Sequence, residues 1–299
     1  ELGQENIQRK DFLHTINGWL KQINSASGDM MLDPSGDGSS SSPFPPDVLG
    51  LQYHYFPGDY SPARRPEAAG SASFADHPAL YNGIPSRITT RNAGLVSAPG
   101  GERTAALFTF DQLYRLTGHS MAVPAGGAAP VASSGDAPWD DLALMTWQRT
   151  DAHGMDIAFD RNGNITALVR RDDQGRDIDR ATYGYAASSD RLDHIRDAAG
   201  AVEPGVDLDD QRAGNYAYDA KGRLTGDVAE GLRLSWNSRD QLVAAERRTG
   251  TMRYENTAHG VRSIVRDGES GSFTVRDLVG IPLATYDLRD GRAVLAELP

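Results

Sequence analysis

Cysteine is missing from all 299 residues. That excludes a disulfide framework and any thiolate metal site. No apolar run approaches the ~20 residues a membrane-spanning helix needs, and the opening residues lack the basic, apolar and small-residue order of a secretory leader. Positive charge is in deficit, with 30 Lys and Arg against 41 Asp and Glu and a net charge of −11. Phosphate binding needs a basic face, so a nucleic-acid role is disfavoured, and the acidity reads as a solubility device. Chemistry-bearing motifs are scarce as well. The histidines stand singly, with no pair at the H-x-x-x-H spacing of a zinc site. There is no Gly-x-Ser-x-Gly elbow, and no Gly-rich phosphate loop ahead of a helical pattern.

What is abundant is one short pattern that keeps returning. Its clearest copy is Tyr216-Ala217-Tyr218-Asp219-Ala220-Lys221-Gly222-Arg223-Leu224. Related copies surround Phe110-Asp111, Phe159-Asp160 through Gly163, Trp236-Asn237 and Tyr254-Glu255, and Tyr185 is a further anchor of the same type. Each copy runs from an aromatic through a short polar residue and a turn to an aliphatic. Tyr218, Trp236 and Tyr254 follow one another at intervals of 18. A fixed short period marks a repeat architecture.

The unit reads as a hairpin. Tyr216 and Tyr218 alternate, as on one face of a strand. Asp219 is placed to accept backbone N–H groups just ahead of it. Gly222 supplies the positive φ that a type I turn followed by a bulge requires. A single such hairpin is not stable in water, so the units must stack in series, with aromatics as the glue. A β-propeller would need a period of about 40–45.

These residues resemble the repeats of the Rhs/YD-repeat proteins: tyrosine, aspartate, two variable residues, glycine, arginine, leucine. Tyr218 to Leu224 matches every defined position, and Phe159 to Ile165 differs mildly. Asp11 to Leu20 looks like a degenerate unit, and Arg276 to Tyr286 like the unit just before the family's core. The resemblance implies an all-β, antiparallel strip of repeated hairpins with little helix, a segment of a hollow shell. In bacteria such shells enclose a C-terminal toxin or effector; in teneurins they serve adhesion. It further implies an internal segment of a longer protein, secreted or at the cell surface, whose partners are its parent polypeptide and an enclosed effector. No catalytic residue, cofactor or metal ligand is carried over, since the family's self-cleaving core is expected beyond Pro299.

Along the chain, residues 1–123 read as degenerate repeats with a Ser/Gly/Pro-rich surface loop at 33–47. Residues 124–138 read as a low-complexity surface insertion, and 139–299 as hairpins continuing the same sheet. In 1–32, Phe12, Leu13, Ile16, Trp19, Leu20 and Ile23 fit a helix or a hairpin; Asn17-Gly18 favours the hairpin. Asp160 to Asn164 resembles the start of a calcium loop, but the twelfth position, where a bidentate Glu belongs, is Arg171. Asp33 and Asp37 read as a solvated loop, as do the clusters Asp172, Asp173, Asp177, Asp179 and Asp207, Asp209, Asp210. Two other functions stay open. Tyr53, Tyr55, Trp139 and Trp147 could line a glycan-binding or cell-surface adhesion face, and an Asp pair could run glycoside hydrolysis if one carboxyl were buried.

Overall fold

The computed structural model describes residues 9–26, 33–39, 41–60, 74, 77–95, 102–126, 145–200, 208–257, 260–277 and 279–298. Among them there is no α-helix, only 3-10 structure at Phe74 and at Ala93–Leu95, and no helix long and apolar enough to cross a membrane. The rest is strand: β1 (Phe12–His14), β2 (Leu20–Ile23), β3 (Leu49–His54), β4 (Arg87–Asn92), β5 (Arg103–Phe110), β6 (Leu116–Pro124), β7 (Trp147–Phe159), β8 (Ile165–Arg171), β9 (Asp177–Tyr185), β10 (Leu192–Asp197), β11 (Tyr216–Tyr218), β12 (Leu224–Asp227), β13 (Leu232–Trp236), β14 (Leu242–Arg247), β15 (Gly250–Asn256), β16 (Arg262–Asp267), β17 (Ser270–Arg276), β18 (Pro282–Arg289) and β19 (Arg292–Glu297).

Within each of two sheets, running β1 to β10 and β11 to β19, every strand pairs with its neighbours in the chain. The hairpin, not the helix, is therefore what residues 12–23 form: Phe12 pairs with Ile23 and Leu13 with Gln22. Short loops and alternating apolar residues dictate this meander, since antiparallel neighbours need only a tight turn between them.

Pairing does not run on from β10 to β11, where a single continuous strip was expected. The polar stretch after β10 explains the break. The Gln211 N–H donates to the Ile195 carbonyl at 2.9 Å, and the Gln211 Oε1 accepts the Ile195 N–H at 3.0 Å. The Asp210 carboxylate takes the Asp197 N–H at 3.1 Å. Side chains thus occupy edge hydrogen bonds of β10 that another strand would have used, a standard way of closing a sheet edge.

The chain divides into two compact units, one of residues 1–160, 167–180 and 199–207, the other of 161–166, 181–198 and 208–299. The first holds a buried apolar cluster of Ala26, Phe74, Ala105, Leu107, Ala122, Met145 and Trp147. The Phe74 and Trp147 rings lie 5.7 Å apart, and the Arg87 guanidinium sits 4.2 Å above the Phe74 ring. Beside this core is a buried polar one. Lys21 (1% exposed) and Asp59 (8%) form an ion pair at 2.6 Å, and the other oxygen of Asp59 accepts the Tyr55 N–H at 2.9 Å. The His54 Nδ1 accepts from Arg87 at 2.7 Å, and its Nε2 faces the buried Thr89 hydroxyl at 3.3 Å. Long connections folded over a sheet bury backbone groups and charges, and each needs a polar partner. In the second unit the buried apolar side chains among the described residues are small or few: Ala181, Ile195, Ala244 and Ala284.

Two expectations follow. Lys21→Met strands the Asp59 carboxylate in the interior and should cost about 3–5 kcal/mol in urea denaturation, whereas adding Asp59→Asn, which keeps an acceptor for Tyr55, should recover most of that loss. Burial first, then the charges of Arg87, Lys21 and His77, hold the His54 imidazole well below its ordinary range. A folded-state value below the unfolded one means stability is complete above about pH 6.5 and falls as the pH drops, by up to about 1.4 kcal/mol per pH unit until the folded value is reached. Denaturant midpoints between pH 4 and 7.5 should show this slope, and His54→Gln should flatten it.

Candidate functional site

The recurring feature with specific geometry is a turn that joins seven of the strand pairs. Let its first residue be i: Thr15, Asp111, Asp172, Asp219, Asn237, Thr257 and Asp277 hold this place. In each, the N–H of i donates to the carbonyl of i+4 at 2.8–3.0 Å, and the N–H of i+3 donates back to the carbonyl of i at 2.9–3.2 Å. Residue i+3 has positive φ, 86° at Gly222 and 78° at Gly175; where it is not glycine, at Tyr114 (59°) and Asp240 (61°), an L-residue tolerates the left-handed region. The paired register shifts by one residue at the strand end, as where Tyr218 faces Leu224 and Trp236 faces Leu242. This is the bulge expected of a type I turn in a hairpin.

The side chain of i closes the turn. One oxygen of Asp219 accepts the Lys221 N–H at 2.9 Å and the Arg223 N–H at 3.0 Å, and the other accepts Arg223 Nε at 2.6 Å. Asp111 does the same with Leu113 and Arg115, and Asp172 with Gln174 and Arg176. Asn237 and Asp277 keep the two backbone bonds without the arginine. The Arg223 side chain and the Arg223 and Lys221 backbone N–H groups outweigh desolvation and hold Asp219 below the usual carboxylate range. At Asp111 and Asp172, desolvation pushes upward, but backbone N–H groups and the partner arginine still bring the carboxyl down. These charge-assisted bonds fix the return strand as it leaves the turn.

The arginine at i+4 also reaches the next hairpin. Arg223 donates to the Asn237 carbonyl at 3.1 Å, with its guanidinium 5.7 Å from the Trp236 ring. Arg115 donates to the Asp160 carbonyl at 3.1 Å and lies 4.6 Å over Phe159. Arg191, just ahead of β10, likewise lies 5.8 Å over Tyr218 of the following hairpin, while Arg262 lies 4.2 Å over Tyr254 within one hairpin. The aromatics answer with their polar tips: Trp236 Nε1 donates to the Leu224 carbonyl at 2.8 Å, the Tyr218 hydroxyl to Leu192 at 3.0 Å and the Tyr185 hydroxyl to Ile165 at 2.8 Å. In each case the acceptor is the first residue of a return strand. Hairpins are therefore clasped by a cation over a ring and by a ring donor on a backbone carbonyl.

The sequence-predicted anchors fall into two places in this scheme. Phe110, Phe159, Tyr185, Tyr218 and Trp236 directly precede a turn; all are half-buried, as is Tyr216. Tyr254 stands two residues earlier in its hairpin, because the turn starts at Thr257 and Asn256 pairs with Arg262. The equal spacing of 218, 236 and 254 therefore does not carry over to the turns. Of the aromatics considered for a glycan face, Tyr55 (4% exposed) and Trp147 (6%) are buried, and Trp139 lies outside the described residues. Tyr254 borders an open polar groove of about 350 Å³ with Arg239, Glu255 and Asn256. Of the carboxylates considered for hydrolysis, Asp172 is paired with Arg176, Asp177 with Arg171 and Arg180, Asp179 with Arg170, and Asp210 with Arg196; Asp207 lies outside the described residues. Asp179, fully buried, is not in a solvated loop.

The chain is similar to the structures of TcdB2–TccC3. It is 12% identical to one such crystal structure, matching 94% of this chain and 13% of the other with a TM-score of 0.41, and 12% identical to one lacking the hypervariable C-terminal region, with 95% and 14% covered and a TM-score of 0.41. The Photorhabdus luminescens Tc holotoxin pore matches at 12% identity, over 93% of this chain and 12% of the other, with a TM-score of 0.38. The chain thus spans only about an eighth of the length of these proteins. No family model matches it, and no curated protein does.

The clasp predicts a contrast between two tyrosines. Tyr218→Phe removes the donor to the Leu192 carbonyl and should cost about 1 kcal/mol. Tyr254→Phe keeps the ring under Arg262 and should stay within about 0.5 kcal/mol of the parent. Guanidinium denaturation of the two variants side by side checks this.

Proposed function

We propose that this chain is a non-catalytic, structural segment of a YD-repeat shell that encloses or presents an effector polypeptide belonging to the same parent protein. The observation that carries the reading is the clasp. Repeating the same turn geometry from Thr15 to Asp277 while linking hairpins to their successors through Arg115, Arg191 and Arg223 is what a scaffold requires, because its span grows by adding units. The low burial of the second unit supports it too: strand pairing and hairpin contacts, not a thick core, hold that sheet. On this reading the partners are the remainder of the parent chain and its enclosed effector, and the setting is secreted or at the cell surface of a bacterium.

A hydrolytic role is disfavoured by the turn aspartates. A general acid needs a raised pKa, and Asp172 and Asp219 are shifted downward. A glycan-binding role is disfavoured by the burial of Tyr55 and Trp147.

The test uses the intact parent polypeptide, alone and carrying Arg223→Ala with Trp236→Ala. If the chain is part of an enclosing shell, the effector should resist trypsin in the intact protein and become cleavable in the double variant. Digestion of the effector at the same rate in both would overturn the proposal.

A further inference from the structure

The loop after β2 holds a group of charges that the hairpin architecture does not explain. Asp33 and Asp37 meet Asp11, which directly precedes β1, so that one carboxylate oxygen from each lies within 4.8 Å of the others. Asp37 is buried, only 2% exposed. One oxygen of Asp37 accepts the Ser42 hydroxyl at 2.9 Å, but its Oδ2 is buried with no hydrogen-bond partner, as is the Oδ2 of Asp33. The second oxygen of Asp33 is taken by the backbone N–H groups of Ser35 and Asp37, at 3.0 and 2.9 Å. The Ser35 hydroxyl bridges Asp11 at 2.5 Å and Asp33 at 3.1 Å. The positive charge facing the group is Arg9, whose Nε lies 3.6 Å from Asp11 while its side chain is half exposed.

Buried, unpartnered carboxylate oxygens are rare because desolvating them is so unfavourable; they are paired with a cation or they coordinate a metal. Oxygens bound to one calcium ion at 2.3–2.6 Å can stand no more than about 5 Å apart, and these do not exceed that. The loop order agrees. Asp33-Pro34-Ser35-Gly36-Asp37-Gly38 places oxygen ligands at alternate positions and a glycine at the sixth, as in a calcium loop. That glycine has φ +79°, and a Cβ there would lie 2.5 Å from Pro46. The twelfth position, where such loops carry a bidentate Glu, is Phe44. Asp11, far away in sequence, brings the missing carboxylate.

The geometry points to a calcium-binding site formed by Asp11, Asp33 and Asp37, with the Ser35 hydroxyl beside them, which ties the 33–44 loop to the start of β1. Three carboxylates, two from the loop and one from the residue before β1, with a hydroxyl beside them, suit Ca²⁺, which accepts irregular oxygen shells, better than Mg²⁺, which demands a strict octahedron.

The probe is CaCl₂ alone, titrated calorimetrically into the metal-stripped full chain, with MgCl₂ in parallel. Saturable binding of one Ca²⁺ per chain is expected, with a Kd of about 1 mM or tighter, and a rise in Tm that EDTA reverses. Asp37→Asn should weaken binding at least ~10-fold, whereas Asp172→Asn, in an exposed turn far along the chain, should not. If Asp37→Asn does not fold, Asp11→Asn gives the same reading from the strand side. Absence of saturable binding up to about 10 mM, tighter binding of Mg²⁺ than of Ca²⁺, or wild-type affinity in both site variants would each overturn the assignment.

Discussion

The hydrogen bonds of one carboxylate hold this architecture in register. An aspartate at the head of a turn takes two backbone N–H groups with one oxygen and, in its fullest form, the arginine at i+4 with the other. Those N–H groups would otherwise be unpaired in a bulged turn, where the ladder is interrupted. The bonds set the direction of the return strand and the position of the arginine. The arginine in turn meets the ring and backbone of the following unit, so a local turn preference becomes a longer-range contact.

The aromatics play a different part from simple core residues. They are half-buried, so their transfer contribution is below the roughly 2–3 kcal/mol of full burial. Their positions matter through two further terms, a guanidinium over the ring face and a ring N–H or O–H on a carbonyl, each worth about 1 kcal/mol. This gives a physical reason for tyrosine and tryptophan at the head of several turns: phenylalanine has the face but lacks the donor. Asn237 and Thr257 show how far the unit can drift. Each still closes its turn through a side-chain oxygen, without the arginine clamp.

Within the first unit the chain departs from this economy. It holds a buried ion pair between Lys21 and Asp59, an enclosed His54 and the Asp11–Asp33–Asp37 group. Such sites are expensive to desolvate and are tolerable only where every charge meets a partner. The enclosed His54, held below its ordinary range, makes stability fall as the pH drops below the histidine range, whereas the turn carboxylates of Asp111, Asp172 and Asp219, held below the usual carboxylate range, give up their contribution only at more acidic pH.

Local chemistry was legible in the residues themselves. Asp219 as acceptor, Gly222 at positive φ, the hairpin at residues 12–23 and the nearly pure β character all follow from short-range rules about turns and alternation, which act over a handful of neighbours. The equal spacing of Tyr218, Trp236 and Tyr254 misled, because a two-residue slip before Thr257 leaves the interval intact while changing the place in the hairpin. Three things required the folded chain. The arginine-to-ring clasps between hairpins, Arg223 on Trp236, Arg191 on Tyr218 and Arg115 on Phe159, join residues 13 to 44 positions apart, at intervals no single period encodes. The closure of β10 by Gln211 depends on a side chain standing in for a strand. The carboxylate group draws Asp11 to a loop more than twenty residues on, and burial of Asp37 there is a property of packing. Turn geometry is decided by neighbours along the chain; burial and partnership are decided by what the chain brings back to the same place.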